Sequence, residues 1–156
     1  MKSFFFYFVI LFSLTFCSKE PDLFPKFFLD LNLTKKLVGT EAKDFVNRLH
    51  YNKVTEEKNE IGFYSGPKGS AIIYITFYND KNSARTNYEK MIRKISPENS
   101  VFTKGTIINF DGKEIYKTFG MGQTHYVFAS SNKLFWISAE ISWAEKFLNE
   151  YLKILD

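Results

Sequence analysis

The chain has 156 residues, a length that suits one ordinary domain. Hydrophobic residues make up 45% of it and aromatic residues 19%, enough for a packed core, which excludes disorder over most of the chain. A formal net charge of +4, spread without a block of like charges, permits weak attraction to anionic lipid but does not favour a nucleic-acid partner.

The N-terminal residues have the pattern of a secretory signal peptide. Lys2 supplies a positive charge, and residues 4–16 form an apolar run interrupted only by Ser13 and Thr15. This run is short for a transmembrane helix, which needs about 20 apolar residues to cross the hydrocarbon core of a bilayer. We therefore predict that residues 1–16 are a signal peptide and that the protein is exported.

Cys17 directly follows the apolar run. It is the only cysteine, so no disulfide can form within the chain. Residues 14–17, Leu-Thr-Phe-Cys, resemble the lipobox of bacterial lipoproteins, although Phe16 stands where that pattern usually has a small residue. The resemblance implies that Cys17 becomes the mature N-terminus, carries acyl chains such as palmitate, and anchors the protein to a membrane of the cell envelope, on the periplasmic side or at the cell surface. The alternatives are an uncleaved signal anchor and ordinary signal cleavage nearby.

The segment after the cysteine is less polar than a simple linker. Residues 17–38 contain Pro21, Pro25 and several apolar side chains, so we predict a tether that packs partly against the domain. A short helix is expected near residues 22–31. The remaining residues, 39–156, are predicted to form a single domain.

Three helices are predicted in that domain. Apolar residues recur at helical spacing over residues 40–50 and 81–95, and Asp80 is a suitable N-cap for the second of these. The last helix is expected to open at Ser142, which forms a capping box with Glu145.

Strands are predicted where apolar and aromatic residues alternate between turn signals, at residues 60–65, 71–78, 106–110, 113–119, 124–130 and 133–140. Residues 71–78 are apolar on both faces, which indicates a central position in the sheet. Residues 111–112 and 131–132 are typical two-residue hairpin turns. The order α-ββ-α-ββββ-α predicts an α+β fold, with a mainly antiparallel sheet of five to six strands and about three helices packed on it.

The sequence contains no recognisable catalytic constellation. His50 and His125 are the only histidines, they lack metal-ligand spacing, and no cofactor or metal is expected. Residues 120–122, Gly-Met-Gly, are too short for a phosphate cradle and favour a bent connection between strands. We therefore predict no catalytic residue, and an enzyme is the less favoured hypothesis.

A turn at residues 131–132 places His125 opposite Ser138 and Val127 opposite Trp136, so His125 and Trp136 share one face of the sheet. A histidine beside a tryptophan can bind an aromatic or anionic ligand, whereas the alternative is a buried histidine whose hydrogen bonds are satisfied. The candidate ligand-binding residues are His125, Trp136, Tyr126 and Tyr74.

Three functional hypotheses are compatible with these patterns. The first is an envelope lipoprotein whose non-catalytic domain binds a small ligand or an envelope protein, with membrane lipid as a further partner through acylation. The second is a hydrolase-like envelope enzyme with an unfamiliar site around His125. The third is a structural or assembly accessory of the envelope that uses an exposed sheet edge or apolar patch.

Overall fold

The computed structural model describes residues 21–49, 56–67, 69–96, 98 and 100–155. These residues form one eight-stranded sheet and three helices. The strands are β1 (Phe27–Phe28), β2 (Leu31–Val38), β3 (Lys58–Gly66), β4 (Gly69–Phe77), β5 (Thr103–Phe110), β6 (Lys113–Gly120), β7 (Gln123–Ser130) and β8 (Lys133–Glu140). The helices are α1 (Gly39–Leu49), α2 (Lys81–Lys94) and α3 (Ala144–Leu155).

The strands lie in the order β1-β2-β3-β4-β8-β7-β6-β5, and every neighbouring pair is antiparallel. Successive side chains of a strand point to opposite sides, so the sheet has two faces. Different helices pack on each of them. Helix α3 packs on one side, here called the α3 face, over the larger core. Helices α1 and α2 both pack on the other side, here called the α1/α2 face, over two separate smaller clusters.

The predicted class, α+β with an antiparallel sheet and three helices, is confirmed. Strand β4 is the fourth of eight, and residues 111–112 and 131–132 are the two-residue turns of hairpins. Asp80 caps α2, since its carboxylate accepts a hydrogen bond of 2.9 Å from the Ser83 amide. The last helix begins at Ala144, two residues beyond the predicted opening.

The predicted sheet of five to six strands was wrong, as was the order of elements, because β1 and β2 precede α1 and give ββ-α-ββ-α-ββββ-α. The helix expected near residues 22–31 is not formed. Leu29 and Asp30 have φ angles of 51° and 65°, so the chain reverses there and β1 pairs with the start of β2. The apolar residues of this stretch fit a strand as well as a helix, and a short apolar run does not separate the two.

Strands β1 and β2 lie within the segment that was predicted as a tether, and β2 pairs along its length with β3. The segment before β1 is also fixed to the α3 face. The Phe24 side chain is 4% exposed, the Leu23 carbonyl accepts a 2.9 Å hydrogen bond from the Tyr151 hydroxyl, and the Pro25 carbonyl accepts one of 3.2 Å from Tyr64. Residues 1–20, which include the predicted signal peptide and Cys17, lie outside the described residues, as does His50.

These contacts predict that the start of the described chain contributes to stability. Phe24→Ala should lower the free energy of unfolding by about 3 kcal/mol or more, because it removes a buried aromatic side chain and leaves a cavity. Phe27→Ala, three residues away, is the matched control: Phe27 is 77% exposed, so the change should stay within about 0.5 kcal/mol. Urea unfolding followed by circular dichroism measures both. Equal effects of the two substitutions would contradict the packing of Phe24.

Candidate functional site

The centre of the α1/α2 face has less cover than the rest of the sheet. Helix α1 packs over β2 and β3, and helix α2 packs over β7 and β8, so β4 lies between them. On the α3 face of β4, Ile73 and Ile75 are fully buried. On the opposite face of the same strand, Ile72 and Tyr74 are only half-buried. The two helices therefore flank a strip of sheet that remains partly accessible.

This strip is lined by aromatic and aliphatic side chains, which we call the aromatic trough: Phe45, Phe63, Ile72, Tyr74 and Trp136. All five are half-buried. Strand register places Tyr74 directly opposite Trp136, and Ile72 directly opposite Phe63. Phe45 of α1 packs edge-on against Phe63 at 5.6 Å between ring centroids and lies 6.4 Å from the Tyr74 ring. Burial raises the pKa of Tyr74 to about 12, so its phenol is uncharged at neutral pH.

His125 lies beside the trough, and the predicted register is confirmed: His125 is opposite Ser138, and Val127 is opposite Trp136. The His125 side chain is 1% exposed. Its ring is 5.5 Å from the Trp136 ring and 5.0 Å from the ring of Phe102, which covers it from the connection between α2 and β5.

The hydrogen bonds of His125 determine its tautomer. Nε2 is 2.9 Å from the Gly120 carbonyl oxygen, which can only accept, so Nε2 carries the proton. Nδ1 then accepts from the Ser138 hydroxyl at 2.9 Å. The Trp136 indole N–H, which can only donate, is 2.8 Å from the Ser138 oxygen and 3.2 Å from Nδ1. Each group therefore donates to the next: Trp136 to Ser138, Ser138 to His125, and His125 to the Gly120 carbonyl.

This network favours the neutral imidazole. A proton on Nδ1 could still donate to the Ser138 oxygen, but it would also face the indole N–H of Trp136, and two donors cannot bond to each other. Burial lowers the pKa of His125 from its ordinary value, and the hydrogen bond to Gly120 opposes this only in part. Both ring nitrogens are occupied and the ring is buried, so His125 fits a structural role better than that of a general base.

The four predicted ligand-binding residues do not all lie together. Trp136 and Tyr74 are neighbours in the aromatic trough, and His125 lies behind Trp136 on the same face. Tyr126 projects to the α3 face, where it is 1% exposed in the larger core. Its position next to His125 in the chain puts it on the opposite side of the strand, since successive side chains of a strand alternate.

Three further aromatic residues of this site were not among the predicted ligand-binding residues: Phe45, Phe63 and Phe102. Phe45 and Phe63 reach the trough because α1 crosses β3, a contact between elements that no local pattern specifies. Phe102 is placed by the close approach of its loop to β6: a Cβ on Gly120 would lie only 2.5 Å from Phe102 Cδ1. The sequence signal for this contact is Gly120, because a glycine within a strand can mark a close approach by another group.

Residues 121–122 form the two-residue turn between β6 and β7, with φ angles of 51° at Met121 and 75° at Gly122. This turn joins two strands, in agreement with the bent connection predicted from Gly-Met-Gly. In the described part of the chain, no group of three His, Cys, Asp or Glu side chains is arranged to hold a metal ion. Within the same residues, no helix combines the length and apolar character needed to cross a bilayer.

Comparison with known proteins shows similarity at the level of fold only. No protein-family model matches the chain. No curated protein sequence matches it either. A crystal structure described as a GTP binding regulator from Thermotoga maritima is similar, with a TM-score of 0.55 and 13% sequence identity over 81% of this chain and 78% of that one. At this identity the likeness concerns the arrangement of helices and strands.

The His125 network predicts a specific pH dependence of stability. The folded-state pKa is lowered, so at pH values below about 6.5 the unfolded chain binds a proton that the folded chain does not. Stability is therefore complete above that pH and declines as the pH falls towards the folded-state pKa. Urea unfolding between pH 8 and pH 5 should show this decline, and His125→Gln should remove it while lowering stability at every pH.

His50→Gln is the control, because it removes the other histidine of the chain. Glu60 affects stability over a separate pH range. Burial alone would raise the pKa of its carboxyl, but hydrogen bonds and charge from Lys58 and Lys36 together lower it from 4.5, so its contribution is lost at more acidic pH. If the decline below about pH 6.5 persisted in His125→Gln and disappeared in His50→Gln, the assignment to His125 would be wrong.

Proposed function

We propose that this protein is an exported lipoprotein, anchored to a membrane of the cell envelope through Cys17, whose domain binds an apolar or aromatic group in the aromatic trough without catalysing a reaction. The observation that carries the binding proposal is the half-buried strip of Phe63, Ile72, Tyr74 and Trp136 between α1 and α2. Binding sites are lined mainly by apolar and aromatic side chains, as this strip is.

The chemistry of the trough favours an uncharged, flat ligand or an apolar side chain of an envelope protein. Tyr74 is uncharged at neutral pH, and the Trp136 N–H is directed to Ser138 and His125. The lining therefore offers a ligand aromatic rings and the Ile72 side chain rather than charged groups. Stacking and apolar burial would supply most of the affinity, with the Tyr74 hydroxyl available for one hydrogen bond.

The geometry supports the enzyme hypothesis less well. A general base must reach a proton of the substrate, whereas His125 is buried and hydrogen-bonded at both nitrogens. Its partners are a hydroxyl, a carbonyl and an indole, and no described hydrogen bond joins it to a carboxylate. The turn at residues 121–122 joins two strands rather than opening a helix, so it provides no helix N-terminus for a phosphate.

The anchoring proposal rests on the lipobox-like residues 14–17 and on the position of the single cysteine. When the full chain is expressed in bacteria fed a radioactive or alkyne-labelled palmitate, the protein should incorporate label. Cys17→Ser should abolish the labelling, and Ser18→Ala, next to the cysteine, should leave it intact. Mass spectrometry of the mature N-terminus checks the same point: an unmodified Cys17 in an uncleaved chain would contradict acylation.

Binding in the trough is testable with an uncharged aromatic probe. In mature protein carrying Trp143→Phe, Trp136 is the only tryptophan, so its fluorescence should be quenched when N-phenyl-1-naphthylamine binds. Tyr74→Ser should weaken binding by about 1 kcal/mol, close to fivefold in Kd, because it removes the ring opposite Trp136. Phe27→Ser removes an exposed ring outside the trough and is the control. Equal affinity in all three proteins, or no quenching, would contradict the proposal.

A further inference from the structure

The proposed anchor lies very close to the folded domain. Three residues, 18–20, separate Cys17 from Pro21, the first described residue. A fully extended chain advances about 3.5 Å per residue, so Pro21 can lie at most about 14 Å from an acylated cysteine. This step rests on the proposed acylation of Cys17. With so short a connection, the part of the domain at Pro21 must stay close to the bilayer.

The N-terminal segment identifies that part of the surface. The Leu23 carbonyl accepts a hydrogen bond from the Tyr151 hydroxyl, and the Phe28 ring lies 5.9 Å from the Tyr151 ring. This segment therefore runs along the α3 face to β1, which forms one edge of the sheet. Ten residues along the chain, from Cys17 to Phe27, join the proposed anchor to that edge. Strand β5 forms the other edge, seven strand spacings or about 34 Å away.

The edge formed by β1 follows the anchor most closely along the chain, and it carries an exposed aromatic side chain. Phe27 is 77% exposed, while its neighbour Phe28 packs edge-on against Phe147 on the α3 face at 5.0 Å. Lys26, directly before Phe27, is also exposed. An exposed phenyl ring gains free energy on entering an apolar medium, and a lysine beside it can extend its ammonium group to lipid phosphates.

We propose that Phe27 inserts into the bilayer interface with Lys26 at the level of the phosphates, so that the β1–β2 edge rests on the membrane. The acyl chains provide the anchoring, and Phe27 fixes the orientation. The sheet then stands on its edge, β5 points away from the bilayer, and both faces of the sheet, including the aromatic trough, are open to the aqueous space. The partner at this edge is a lipid surface.

The test uses the full chain, purified with its lipid and reconstituted in vesicles of phosphatidylethanolamine and phosphatidylglycerol. Single cysteines are introduced by Asn32→Cys, opposite Phe27 in β1–β2 pairing, and by Ile107→Cys, an exposed position on β5. Each is labelled with a nitrobenzoxadiazole dye. Nitroxide-labelled lipid should quench the dye at position 32 severalfold more than the dye at position 107. Equal quenching at the two positions would overturn the proposal.

A second arm separates the role of Phe27 from proximity imposed by the short connection. A flexible Gly/Ser linker is inserted between Lys19 and Glu20, and quenching at position 32 is compared with and without Phe27→Ser. Quenching should survive the linker and fall severalfold when Phe27 is replaced. Loss of quenching with the linker alone would show that the connection, and not Phe27, holds this edge at the membrane, and would overturn the insertion.

The same preparations distinguish this inference from the proposed function. Mass spectrometry of each reconstituted sample shows whether Cys17 is acylated. Acylated protein with equal quenching at positions 32 and 107 refutes the orientation and leaves the lipoprotein proposal intact. Protein without acyl chains refutes the anchoring itself. Circular dichroism of each variant shows that the fold is retained, as expected for substitutions at the exposed residues Phe27, Asn32 and Ile107.

Discussion

The pairing of β4 with β8 is the contact on which the rest of the structure depends. Strands β1 to β4 and strands β5 to β8 form two sets, and this pairing is where the two sets join into one sheet. It is reinforced at one end, where the Tyr78 amide donates to the Asn132 carbonyl and the Asn132 side chain donates to the Tyr78 carbonyl, both at 2.8 Å. The same ladder brings Tyr74 opposite Trp136 and so creates the floor of the aromatic trough.

The two faces of this ladder are covered to different extents. On the α3 face, Phe147 and Tyr151 cover the sheet closely, and the core residues there are almost fully buried. On the α1/α2 face, two helices cover the two sides of the sheet and leave the centre half-open. The hydrogen-bond network of Trp136, Ser138 and His125 lies beside the aromatic trough. Because its polar atoms are satisfied by one another, it holds the Trp136 ring in place without exposing a reactive group.

The short connection to the proposed anchor links the position of the N-terminal segment to function. Residues 23–28 are fixed to the domain by Tyr151 and Tyr64, so the connection cannot lengthen by unravelling without loss of buried contacts. Anchored and oriented as proposed, the domain would keep presenting the same surfaces to its surroundings. An upright sheet would keep the trough accessible to small molecules or proteins of the aqueous compartment, which suits a binding role better than a surface pressed against lipid.

Local sequence signals determined most of the secondary structure of this protein and one strand register. Alternating apolar residues identified six strands, Asp80 and its neighbours identified a helix start, and residues 131–132 fixed the register that pairs His125 with Ser138, because a two-residue turn leaves no freedom of alignment. Two features of the structure could not be predicted from the sequence. The turn at Leu29 and Asp30 has no glycine, so β1 and β2 were missed. The trough exists only because α1 and α2 pack to either side of β4, and that separation is set by tertiary packing.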